Sequence, residues 1–173
     1  MLAIGLCVHT GWAACVLAGG DVRSPRVVVR EHVELAGDPE RFVFHRAAEM
    51  KPAEAARSVA QLRLDAIGRA TGVLHRLAGT GPLAGCAIVA KRGRIPELAE
   101  VVASHPRIHT CEGLFYRDVL LDAAREAGLD PRVVVPSDLD PNAPAVAAAG
   151  RVVGKPWNRD WKMASLAAWD VLR

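Results

Sequence analysis

Leu2-Ala-Ile-Gly-Leu-Cys-Val-His-Thr-Gly-Trp-Ala-Ala-Cys-Val-Leu17 is the stretch that decides the fold. It reads as a strand over Leu2–Val8, a tight polar turn at His9-Thr10-Gly11, and a second strand over Trp12–Ala18 paired back on the first. Gly19-Gly20-Asp21 makes the next turn, because glycine accepts positive φ without steric cost. Strand 3 is expected over Arg26–Leu35. Val27, Val29, Val33 and Leu35 fall on one face, and Arg26, Arg30, His32 and Glu34 on the other. Val28 and Glu31 break the pattern, which suits an antiparallel edge strand with one wet face.

Beyond Asp38-Pro39 the pattern changes. Phe42–His45 reads as a short apolar insertion. A long helix is expected from Pro52 to about Leu77, with Ala56, Val59, Ile67, Ala70, Leu74 and Leu77 at helical spacing and Gly79 as its stop. Gly85–Ala90 is apolar throughout, as a central strand covered on both faces should be. Lys91-Arg-Gly-Arg94 follows, then a short helix from Pro96. Thr110 is placed to cap the next helix, which runs to Ala127 and closes at Gly128. Arg132–Val135 is the fifth strand. Pro136–Gly150 reads as loop with one helical turn around Ala143–Ala149, and the final helix runs from about Asn158 to Leu172.

This β-β-β-α-β-α-β-α order over nearly the whole chain resembles the ribonuclease H-like fold. The resemblance implies one α/β domain over residues 1–173, a five-stranded mixed sheet in the order 3-2-1-4-5, and helices on both faces. Similar hairpins open ribonuclease H-like nucleases and actin-like kinases, where an Asp at the end of the first strand holds a metal ion. In the ribonuclease H-like family, carboxylates also gather near strand 4 and on the last helix, where they bind two divalent ions. The departures are plain. Cys7 or His9 stands where the first Asp is wanted, and Lys91 and Arg92 stand at the end of strand 4. Asp160, at the start of the last helix, resembles the family's C-terminal acidic position. One carboxylate cannot hold two hard cations, so the usual two-metal mechanism is not expected.

At 173 residues, 51% apolar and 24% charged, the chain is long and apolar enough for a sizeable core and is not a disordered chain. A net charge of +3 is mildly basic, short of the Lys/Arg density of a protein that lives on nucleic acid. Cys7, Cys15, Cys86 and Cys111 form no CxxC pair and are expected as free thiols in a cytoplasmic protein. The apolar start lacks a positive n-region, and His9-Thr10-Gly11 interrupts it too early for a secretory signal. No apolar run reaches the ~18 residues of a membrane-spanning helix.

The candidate site residues follow from strand ends and helix starts. His9 should lie outside the carboxyl end of strand 1, near a topological switch point, beside Thr10. Its imidazole suits a general base or a soft-metal ligand, or it simply caps the hairpin turn. His105, His109 and Glu112 have zinc-like spacing. Pro106 argues against a continuous helix and so removes His105 from the shared face, leaving His109-x-x-Glu112 at a helix start. Gly113 there implies close approach by a neighbour. Glu112, Tyr116 and Arg117 could line a polar pocket. Lys91-Arg92-Gly93-Arg94 could meet an anion, or be an ordinary solvated loop. Trp157 and Trp161, four apart, suit either base stacking or the core. No P-loop, GxGxxG, GxSxG or HExxH is present.

Two functional readings follow. One is a diverged phosphoryl-transfer or nucleic-acid-processing enzyme using His9, Glu112 and Asp160, with Lys91 or Arg92 on phosphate and a divalent metal as a candidate cofactor. The other is a non-catalytic module that binds a nucleotide, nucleic acid or protein through the same crevice. The apolar final helix with Trp161 and Trp169 suits a core or a homodimer interface.

Overall fold

A computed structural model describes residues 1–21 and 23–173. Strand β1 (Leu2–His9) turns through Thr10-Gly11 into β2 (Trp12–Gly20), and His9 pairs directly with Trp12. Gly11 takes a φ of 85°, and its missing Cβ leaves room for Arg41 and the Ala36 carbonyl. β3 (Pro25–Glu34) pairs antiparallel with β2, whereas β4 (Leu83–Val89) and β5 (Pro131–Val134) add in parallel on the far side of β1. The sheet order is β3-β2-β1-β4-β5, as the sequence implies, with β3 at an edge and β1 in the centre.

The two faces of the sheet are read from alternate residues of β1. Ile4 and Leu6 point to the face covered by α1 (Val43–Ala48), α2 (Pro52–Ala78), α3 (Leu98–Val102) and α4 (His105–Glu126). Ala3 and Cys7 point to the opposite face, under α5 (Pro144–Val153) and α6 (Arg159–Val171). Gly5 shares that second face. A Cβ built on Gly5 would fall inside the Ala164 carbonyl, so α6 rests directly on the β1 backbone. Ala164, Ala167 and Ala168 supply the small side chains that this approach needs. Trp169 is fully buried beside them, its indole N–H donating to the Gly19 carbonyl at 3.2 Å. The final helix is therefore core.

Four local expectations are corrected. The apolar insertion expected at Phe42–His45 is the start of a helix, Val43–Ala48, whose Val43, Phe44 and Ala47 are buried. Ala55, not Ala56, is the buried residue at the start of α2. The segment after β5 holds a helix of 10 residues rather than one turn, with Pro144 in its first turn. The fourth concerns α4. Ser104 is extended and Pro106 stands in the first turn, where a missing N–H costs nothing, so Pro106 starts the helix instead of breaking it. Thr110 is thus a helical residue whose hydroxyl donates to the Pro106 carbonyl at 3.1 Å, not a cap.

Candidate functional site

The parallel register of β1 and β4 builds the site. Cys7 pairs with Val89, so His9 and Lys91, each two residues further along, emerge together at the carboxyl end of the sheet. His9 lies on the Cys7 face of β1 and therefore meets the start of α6. Asn158 fixes that start: its side-chain oxygen accepts from the Asp160 and Trp161 amides at 3.1 and 3.2 Å. Asp160 thereby stands in the first turn, with Oδ1 3.0 Å from His9 Nε2. The distance is that of an ion pair, yet Nε2 is buried with no hydrogen bond of acceptable angle, so the carboxylate lies off the ring nitrogen's axis. The His9 ring is held from behind. It stacks on Trp12 at 4.2 Å between centroids, and Trp12 stacks in turn on His32 at 4.5 Å.

His9 and Asp160 line a cavity of about 380 Å³ together with Cys7, Lys91, His109, Thr110, Gly113, Arg159 and Met163. Gly113 makes no close approach: nothing beyond its own helix comes within 4 Å of a Cβ built there, and the space is cavity wall. Burial pushes the Cys7 thiol up to about 12, with the Asp160 charge adding to the rise. Lys91 and Arg159 are exposed, and among the described residues neither has a carboxylate within ion-pair distance; the same holds for Arg92 and Arg94.

Structures of Thermus thermophilus RuvC share this architecture. RuvC itself matches with a TM-score of 0.56 and 12% identity, over 98% of this chain and 91% of that one. T. thermophilus RuvC in complex with Holliday junction substrate matches with a TM-score of 0.57 and 13% identity, over 98% of this chain and 90% of that one. This is a ribonuclease H-like fold. Neither a protein-family model nor a curated protein matches the chain.

The two divalent ions implied by the ribonuclease H-like fold do not fit the residues present. Among the described residues Asp160 is the single carboxylate in the cavity lining, and Lys91 and Arg159 bring positive charge to it. Cys7, His9 and Asp160 do place sulfur, nitrogen and oxygen donors within 4.8 Å of one another. That mixed set with a high thiol pKa is not an oxygen cage for hard cations.

The remaining site expectations separate. Glu112 does not reach the cavity of His9 and Asp160. It is 2% exposed, and its Oε1 accepts from the His45 ring at 2.8 Å on the helical face of the sheet covered by α1 and α4. Tyr116, one turn on, is fully buried, and its hydroxyl donates to the Arg41 carbonyl at 2.8 Å. Burial, and behind it the Glu112 charge, push its phenol well up. Arg117 is also buried and works on backbone: it donates to the Lys91 carbonyl at 3.0 Å and to Asp118 at 2.8 Å, holding the loop after β4 in place. Thr10 and Arg92 lie outside the cavity lining. Trp157 and Trp161 are not four apart on one helix, since α6 begins at Arg159; Trp157 instead donates to the Val146 carbonyl at 3.0 Å.

Sequence reading missed Trp12, His32 and His45. Trp12 was within reach, because a two-residue hairpin makes His9 and Trp12 cross-strand neighbours. His45 was not, because only the packing of α1 on α4 brings it to residues some 60 positions away.

Proposed function

We propose that this chain binds nucleic acid through the carboxyl-end crevice of its sheet and does not cut it by a two-metal mechanism. The observation that carries this reading is the charge exchange at the crevice. Lys91 projects where the resemblance calls for a metal-binding carboxylate, Arg159 adds a second cation to the cavity wall beside Asp160, and Arg92 and Arg94 follow on the exposed loop after β4. Cations at that place meet phosphate directly instead of through an ion. The likeness to a RuvC bound to a Holliday junction makes branched or duplex DNA the first substrate to try.

The enzymatic alternative rests on one observation, the His9–Asp160 pair opening on the cavity, which is the kind of pair that can move a proton. Fluorescence anisotropy and a cleavage assay on labelled four-way junctions, duplexes and single strands, with Mg²⁺ or EDTA, separate the two. Binding that is equal in EDTA, with no product, and that is weakened by Lys91→Ala and by Arg159→Ala is the expected result. Cleavage that disappears in His9→Ala would establish the enzyme instead. Absence of binding to every probe at low salt would sink both.

A further inference from the structure

We infer that His45, His105 and His109 form a zinc site, independent of the crevice reading. The three rings come from two helices. His105 and His109 lie one turn apart at the start of α4, and His45 projects from α1 packed beside it. Their ring centroids are 4.5, 4.7 and 5.2 Å apart, and one nitrogen from each lies within 4.8 Å of the others. Nε2 of His105 and Nε2 of His109 are 3.0 Å apart. Two imidazoles on one tetrahedral zinc, each at ~2.05 Å, place their nitrogens about 3.3 Å apart. A few tenths of an ångström of side-chain movement closes that difference.

The second, independent observation is Glu112. Its carboxylate is buried, and the same Oε1 meets both the His45 ring Nδ1 at 2.8 Å and the His45 peptide N–H at 3.4 Å. A buried carboxylate is costly unless paired, and this one is spent on orienting a single histidine. With Nδ1 occupied, Nε2 is the nitrogen that His45 has left to offer. Carboxylate–histidine pairs of this kind orient metal-bound imidazoles and strengthen them as ligands. Imidazole selects zinc and its late transition-metal neighbours over magnesium or calcium. Three histidines leave a fourth position open to water, the pattern of an exchangeable site and not of a closed structural one. His109 also lines the strand-end cavity, so the ion would sit at its wall.

The test uses the full chain stripped of metal by a chelator. Co²⁺ is titrated as a coloured stand-in and then displaced by Zn²⁺. One saturable equivalent with visible absorption, displaced by zinc, is expected. His105→Ala and His109→Ala should each abolish it; both residues are exposed, so the metal-free fold should keep its melting temperature. Glu112→Gln should weaken binding about 10–100-fold, and if that variant does not fold, the two histidine variants decide. Zn²⁺ should raise the melting temperature of the parent and not of the double histidine variant. His9→Ala should bind normally, because Cys7, His9 and Asp160 form a separate donor cluster. No saturable site, a site that survives in the double variant, or a site lost in His9→Ala would overturn the inference.

Discussion

Cys7 shows how one residue's surroundings set its chemistry. It is one of the two residues, with His9, that stand where a metal-binding carboxylate is expected, yet it is buried against α6 and its thiol is pushed up to about 12. Cys86 is pushed as high by burial alone, Cys15 well up, and Cys111 up as well; all four thiols are free. Thiolate is the reactive form. The folded protein at about pH 8 should therefore resist a maleimide that modifies all four cysteines once urea is added, as mass spectrometry would read; fast labelling of Cys7 in the native state would contradict the burial. The same shift has a sign in stability. In the unfolded chain these thiols ionise near 9.0, in the fold only near 12 for Cys7 and Cys86, so their contribution is whole below pH 9.0 and is lost as pH climbs toward 12. The melting temperature should accordingly fall across that alkaline window. His9 and Asp160 were legible as candidates because strand ends and helix starts can be counted from sequence. Glu112 was misplaced because its side of α4 depends on where the helix begins, and Pro106 was read as a break when it is a start.

At the scale of elements, the contact between β1 and α6 carries the site, since it sets Asp160 against His9. Two glycines test this with opposite signs. Gly5→Ala would drive a methyl group into the Ala164 carbonyl, and neither backbone can retreat without opening the sheet–helix packing. A loss of about 3 kcal/mol in urea unfolding is expected. Gly113→Ala puts the same methyl group in the interior of α4, with nothing within 4 Å. There the helix preference dominates, and a gain of about 1 kcal/mol is expected. Equal effects of the two would mean that α6 does not rest on the β1 backbone. Strands 1, 2 and 4 were read well because each is a nearly unbroken apolar run; strand 3 was placed, but a register shift opposite Leu17 and Ala18 sends Val27 and Val29 to opposite faces, not to the one face expected. The short helix after Pro96 was also read, but α1 and the full length of α5 were not. α1 is 6 residues long and packs on α2 and α4, α5 is Ala- and Val-rich and packs on β3 and α6, and their formation owes more to those neighbours than to their own pattern.

Across the whole molecule, a net charge of +3 is too small to coat the surface with positive potential, so any nucleic-acid affinity must come from where the cations stand. Elsewhere the arginines are largely spent on the protein: Arg63 on Asp122, Arg76 on Glu31, Arg132 on Asp170, and Arg30 on the carbonyls of Gly154, Lys155 and Pro156. Lys91 and Arg159 at the crevice, and Arg92 and Arg94 on the loop that follows β4, have no such partner among the described residues. Four phosphate contacts on duplex DNA release counterions with a slope of log K against log salt of about −3.6, or ~0.9 per contact. Arg92→Ala and Arg94→Ala should each reduce that slope by about 1 and weaken all duplex sequences alike, because backbone contacts carry no base information. Anisotropy titrations over a range of salt concentrations measure this directly. A slope near zero, or one unchanged in both variants, would place any binding surface away from the carboxyl end of the sheet and remove the charge argument on which the proposed function stands.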